Sequence, residues 1–197
     1  MRQLGGLPGS RAPIAADAQA RLALRERTTA THAALDLRVG RLDTRERYAR
    51  YVRGIGGFRA PLEQALAGAA LPAWFAGWRP LALGRAIRAD MADLGLQAPD
   101  LAAAALPRLD DVSGLLGVLY VLEGSSLGAR LLFRQALALG MTERHGARHL
   151  ALQTADGRSW RRFLTLLERH PEIDLERAVS AATATFALAH HAFAEPR

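Results

Sequence analysis

Punctuation is the feature that most constrains how this chain can fold. Long stretches rich in Ala, Leu, Arg and Glu, all good helix formers, are separated by short clusters of Gly, Pro, Asp and Thr. No run alternates apolar and polar positions with β-branched side chains, so strands are not expected. The pattern predicts helices over about 17–37, 44–67, 81–94, 112–139, 142–150, 157–169 and 174–193. Asp43-Thr44 supplies a start signal for the second helix, with Glu46 in its first turn, and Asp110-Asp111 precede the long fourth. Gly95, Gly140 and His170-Pro171 supply stops. Gly54, Gly56, Gly57 and Pro61 predict a kink or break near 56–61, and 71–80 reads as a loop or short helix. Long helices joined by such short loops predict an all-α fold, a single-domain helical bundle. Residues 1–16 hold three Gly and two Pro with little periodicity and read as a flexible N-terminal tail; the helical domain is assigned to 17–195.

Composition narrows the chemistry. A chain of 197 residues, half of them hydrophobic, can bury a sizeable core. It has no cysteine, which excludes disulfides, zinc–thiolate sites, iron–sulfur clusters, covalent c-type haem and a cysteine nucleophile. The formal charge is +7, and all 26 basic residues are Arg. Arg offers a planar fork for carboxylates and phosphates. Its residues are dispersed here and no nucleic-acid-binding motif accompanies them, so no nucleic-acid partner is expected. The strongly apolar run Leu115 to Leu122 is too short to span a bilayer, and the N-terminus lacks a continuous apolar core. No membrane association and a cytoplasmic location are expected.

Two segments carry the chemistry. In the first helix, His32 is followed one turn later by Asp36. A carboxylate there takes the Nδ1 proton and leaves Nε2 for a metal; the plain alternative is a half-buried His capped by an Asp. Arg25 lies about two turns earlier, roughly 10 Å along the axis at 1.5 Å per residue, which is about the distance from a porphyrin iron to a propionate. In the long helix, the run Gly117-Val118-Leu119-Tyr120-Val121-Leu122-Glu123-Gly124-Ser125-Ser126-Leu127-Gly128 puts Gly124 and Gly128 on one face. Each interior Gly costs about 1 kcal/mol relative to Ala. The bare strip suits either close helix packing or a flat ligand, and the helix can bend there; the motif alone does not choose. Glu123 either faces a pocket or pairs with an Arg. His145 and His149 have i, i+4 spacing but no HExxH pattern, and read as a surface turn. His190-His191 suit the C-terminal end of a helix dipole. Trp74, Trp78 and Trp160 read as packing residues.

The segments THAALD, YARYVRGIGGFRAPLE and GVLYVLEGSSLGARLL, in that order and at these separations, resemble the bacterial haem oxygenases, especially the biliverdin-forming kind associated with bacteriophytochromes. The similarity covers about residues 20–190. It implies a haem-oxygenase-like bundle that opens haem b with O2 and electrons to biliverdin, iron and carbon monoxide. It implies His32 as the iron ligand, with Asp36 holding its other nitrogen. Arg25 is implied as a propionate contact, as is Arg161, with Arg158 and Arg162 as neighbouring candidates. Gly124, Ser125 and Gly128 are implied to line the oxygen side. Mammalian members carry an Asp where this chain has Ser125, so their carboxylate-organised water network does not transfer. The same resemblance brings an acidic electron donor, a ferredoxin or flavodoxin, and a bacteriophytochrome as biliverdin acceptor. A haem-binding protein of the same fold that stores, carries or senses haem is the alternative, and an unrelated helical bundle the third reading.

Overall fold

The computed structural model describes residues 16–194 apart from 98, 100–105, 156 and 170–172. The predicted tail and the His170-Pro171 stop lie outside the described residues, save Ala16, which already belongs to α1. The chain forms α1 (Ala16–Val39), α2 (Arg45–Gly68), a 3-10 turn (Ala73–Phe75), α3 (Gly84–Asp93), α4 (Val112–Gly124), α5 (Ser126–Ala138), α6 (Arg148–Ala155), α7 (Ser159–Glu168) and α8 (Leu175–Ala192), with no named strand among the described residues. The fold is all-α.

Helix starts follow the sequence signals. Thr44 accepts from the Arg47 N–H at 3.2 Å, Asp111 from the Gly114 N–H at 2.8 Å and Asp174 from the Arg177 N–H at 3.1 Å. Each satisfies one of the N–H groups that a helix start leaves without an intrahelical partner.

Four features depart from the sequence expectations. The second helix is continuous through Gly54–Pro61 rather than broken. Its glycines serve close approach: a Cβ on Gly54 would collide with the Phe193 ring, and one on Gly56 with the Met91 sulfur. The predicted helix over 81–94 begins only at Gly84, because side chains described below bind the backbone of Leu81 and Leu83. The predicted helix over 142–150 is instead a tight turn followed by α6. Thr142 and His145 exchange backbone hydrogen bonds of 2.8 and 3.1 Å, and Gly146 sits at φ +75°. The surrounding acids draw the chain into this path: Asp93 takes the Gly146 N–H, and Asp90 takes the N–H groups of Arg148 and His149. His149 is therefore fully buried rather than a surface residue. Fourth, the long helix divides at Ser125 into α4 and α5, where the sequence allowed a bend.

The core gathers on α8. It packs against α4 and α1, and also against α2. Gly117 makes the α4–α8 crossing possible, since a Cβ there would fall on the Ala178 carbonyl oxygen. Taken end to end, Val112–Ala138 is long and apolar enough to cross a bilayer, with a mean hydropathy of 1.4, but half of its apolar window is buried inside the bundle, as in a core helix.

Candidate functional site

Helices α1 and α4 both pack on α7 and α8, and Thr28 of α1 meets the Tyr120 hydroxyl of α4. This common support matters because α1 carries His32 and the α4–α5 break carries the glycine strip.

On α1, His32 Nδ1 lies 3.0 Å from Asp36 Oδ2, with the imidazole 56% exposed. The i, i+4 spacing places both on one helix face. Nδ1–H donation to Asp36 fixes the tautomer that leaves Nε2 as an acceptor or ligand. The ring meets Phe186 of α8 edge-on, with centroids 5.7 Å apart. One residue earlier, the Thr31 carbonyl accepts from His190 Nε2 at 3.0 Å, so α8 supports this turn of α1 at two points. His190 thus has a specific partner beyond the helix-end charge effect anticipated for it.

On α4 and α5, Gly124 and Gly128 differ in what lies beside them. A Cβ on Gly124 would touch the edge of Trp160 at 3.7 Å, an ordinary contact, while one on Gly128 would meet nothing within 4 Å. Leu127 and Leu131, adjoining Gly128, are 66% and 52% exposed. The strip is therefore an unfilled apolar face, not a packed helix crossing, and it contrasts with Gly117 nearer the start of α4. Ser125 Oγ donates to the Leu122 carbonyl at 2.6 Å and accepts from Gln153 Nε2 at 3.4 Å; Ser126 Oγ donates to the Glu123 carbonyl at 2.6 Å. Hydroxyls turned back on the preceding turn bend a helix, which accounts for the break.

At the other end, Tyr120 packs on Trp160, the neighbour of Arg161, with ring centroids 5.5 Å apart. Burial pushes the Tyr120 hydroxyl up, against the opposing pull of Arg21, Arg25 and the Thr28 hydroxyl. Arg25 therefore lies close enough to Tyr120 to act on it. The exposed side chains of Arg25 and Arg161 have no carboxylate partner among the described residues. Arg21 and Arg25 thus act on a tyrosine hydroxyl beside Trp160, a disposition suited to a carboxylate-bearing ligand, while Arg161 is placed only as the exposed residue next to Trp160 on α7.

Sequence reasoning missed the polar layer behind the break. Arg59 and Glu63 of α2, Glu123 of α4 and Ser159 of α7 are buried or nearly so, and hydrogen-bond one another and the backbone at 81–84. Glu123 accepts from the Leu81 N–H and from Ser159, and lines a small cavity with Arg59 and Gln153. The available signal was the i, i+4 pairing of Arg59 with Glu63 inside an otherwise apolar stretch of α2.

An imidazole with one free nitrogen, a helix face bare of Cβ atoms and cations without carboxylate partners fit a haem in donor type and shape. No protein-family profile matches the chain. A heme oxygenase of Xanthomonas campestris pv. campestris is 31% identical over 151 residues, covering 77% of this chain and 89% of the relative. The chain belongs to the haem oxygenase family. Heme oxygenase PigA of Pseudomonas aeruginosa is 38% identical over 127 residues, 64% of each chain. The fold agrees: the NO- and CO-bound heme oxygenase from Neisseria meningitidis superposes with a TM-score of 0.70 at 27% identity, covering 88% of this chain and 91% of that one.

Proposed function

We propose that this haem oxygenase family member binds haem as its substrate and opens the ring with O2 and electrons to biliverdin, iron and carbon monoxide. The observation that carries the reading is His32, held through Nδ1 by Asp36 with Nε2 left free, on a helix that shares its support, α7 and α8, with the helix that ends in an open glycine strip. The haem supplies the redox chemistry when bound. The protein supplies binding and orientation. His32 Nε2 would hold the iron, and Asp36, 3.0 Å from Nδ1, orients the imidazole. Gly124 and Gly128 would let backbone come close to a bound ring. Arg25 and Arg161 take the propionates and so set which ring edge meets the strip. Ser125 holds the break through the Leu122 carbonyl and Gln153, and bounds the oxygen side without presenting a free hydroxyl proton. The all-Arg excess of positive charge fits docking of an acidic one-electron donor such as a ferredoxin or flavodoxin. A cytoplasmic setting and delivery of product to a bacteriophytochrome complete the proposal and rest on the resemblance.

The test is spectroscopic. Haemin added to the purified protein should give a Soret band, and a ferredoxin system in air should replace it with the broad red absorption of biliverdin in the presence of catalase. His32→Ala should weaken ligation and turnover together. A Soret band that persists under reductant and O2 would favour the storage or carrier alternative, and no spectral change would sink both haem readings.

A further inference from the structure

The polar layer behind the α4–α5 break is costly for a chain to bury, and its geometry shows what it holds. Arg59 is 2% exposed and Glu123 3%. The Arg59 guanidinium makes three directed contacts: Nε to Glu63 Oε1 at 2.9 Å, Nη2 to the Leu81 carbonyl at 2.8 Å and Nη1 to the Leu122 carbonyl at 3.4 Å. Leu122 is the residue whose carbonyl also receives the Ser125 hydroxyl. An α-helix would reserve that carbonyl for the N–H four residues on, at Ser126. The acceptor at the break is thus taken by two side-chain donors, one from its own turn and one from α2. The next residue, Glu123, is held from the other side, accepting from the Leu81 N–H at 3.3 Å and from Ser159 of α7. Leu81 is shared, its carbonyl bound to Arg59 and its N–H to Glu123.

We propose that Arg59 is a positioning residue for the haem site. Through the Leu122 carbonyl, and with the Leu81 N–H and Ser159 gripping the adjacent Glu123, it fixes the angle at which α5 leaves α4. That angle sets where the Gly124–Gly128 strip lies relative to His32, and therefore which edge of a bound porphyrin the strip crowds. The inference rests on the proposed haem reaction, for which it names a determinant of regiochemistry remote from the ring. Fold stability alone does not account for the choice of residue. A buried ion pair such as Arg59–Glu63 is, as a pair, often replaceable by apolar side chains of similar volume without loss of stability. Glu63 would also keep its bonds from the Leu83 N–H, at 2.9 Å, and the Gly84 N–H, at 2.7 Å, if Arg59 were removed.

The experiment has two arms. In the first, amide hydrogen exchange is measured on haem-free wild type and Arg59→Met. Exchange across 122–128 should rise about tenfold, the scale of one charged hydrogen bond, with 29–38 of α1 unchanged as an internal control. In the second, both proteins are loaded with haemin and turned over, and the biliverdin isomers are separated. Arg59→Met should change the isomer ratio. Glu123→Gln, which keeps an acceptor for Leu81 and a partner for Ser159, should retain the wild-type ratio, whereas Glu123→Ala should change it. Unchanged exchange in Arg59→Met overturns the proposal. So does faster exchange with an unchanged isomer ratio, which would reduce Arg59 to a purely structural group. If Arg59→Met does not fold, Ser159→Ala, which removes a single donor to Glu123, takes its place in both arms: faster exchange with a changed ratio supports the proposal, and either readout unchanged overturns it. If wild type neither binds nor opens haem, the proposed function fails on that result alone, and the exchange arm still decides whether Arg59 holds the break.

Discussion

Three glycines along α4 and α5 carry three different physical roles, and single substitutions separate them. Gly117 is a crossing point: its missing Cβ admits the Ala178 carbonyl. Gly117→Ala should cost about 3 kcal/mol, the upper range for overpacking, read as a lowered urea midpoint with an unchanged slope. Gly128 faces open space, so Gly128→Ala should have the opposite sign. Removing the intrinsic penalty of a helical glycine stabilises by about 1 kcal/mol, while the added methyl group intrudes on the strip that a flat ligand needs. The expected result is a protein that melts later but binds haemin more weakly and opens it more slowly. If haem chemistry survives Gly128→Ala untouched, the strip is not the ligand face. Gly124 stands between the two, within ordinary contact of Trp160, and its substitution should be mild in the fold.

At the scale of elements, what could be read from the sequence was what is local. Thr44, Asp111 and Asp174 cap helices within three residues of themselves, and His32 finds Asp36 one turn away, so both kinds of contact follow from spacing. Contacts between residues far apart in the chain did not follow. Arg59 reaches the Leu122 carbonyl across 63 positions, and Asp90 reaches His149 across 59; no periodicity encodes either. The misplaced sixth helix has the same origin. Residues 142–150 have acceptable helix composition, but Asp90 and Asp93 of α3 bind the turn that precedes it and pull its start to Arg148. Asp90 gathers the backbone N–H groups of Arg148 and His149, Arg148 Nη1 at 3.0 Å and His149 Nδ1 at 2.8 Å. Burial pushes its carboxyl up, but the bonds from His149 and Arg148 outweigh burial and hold it below the ordinary carboxylate range. A depressed carboxyl stabilises the fold fully above its unfolded value of about 3.9. That contribution is lost as pH falls through the lower native value. Asp90→Asn should therefore destabilise the protein by about 3 kcal/mol at neutral pH, as when one partner of a buried pair is removed. It should also flatten the part of the acid limb that Asp90 contributes. Denaturant melts at a series of pH values would show both, and an unaltered acid limb would mean that another carboxyl controls it.

The structure places a helix bearing a ligand-ready imidazole and a helix bearing a bare face on a common support, α7 and α8. Its surface charge of +7 arises from Arg alone, so turnover driven by an acidic protein donor should slow as salt rises, because exposed charges are screened within about 10 Å at 0.1 M ionic strength; ascorbate-driven turnover should not share that dependence. The support geometry makes a further demand on thermodynamics. A ligand that fills the space beside the strip binds the native state and not the unfolded chain, so it must raise the melting temperature in proportion to its affinity. At a concentration one hundred times its dissociation constant, haemin should add about 2.7 kcal/mol. For a domain of this length, each kcal/mol is worth about 2–4 °C, so the rise should be about 5–11 °C. His32→Ala removes ligation but leaves the apolar face and the cations, and should keep part of that rise. Metal-free protoporphyrin tests the same division from the ligand's side: it offers ring and propionates with no iron for His32 to bind. If ligation and burial act as separate contributions, wild type with protoporphyrin and His32→Ala with haemin should show similar, intermediate shifts. A full shift in His32→Ala would instead mean that His32 is not the iron ligand, and would move the search for it to another imidazole.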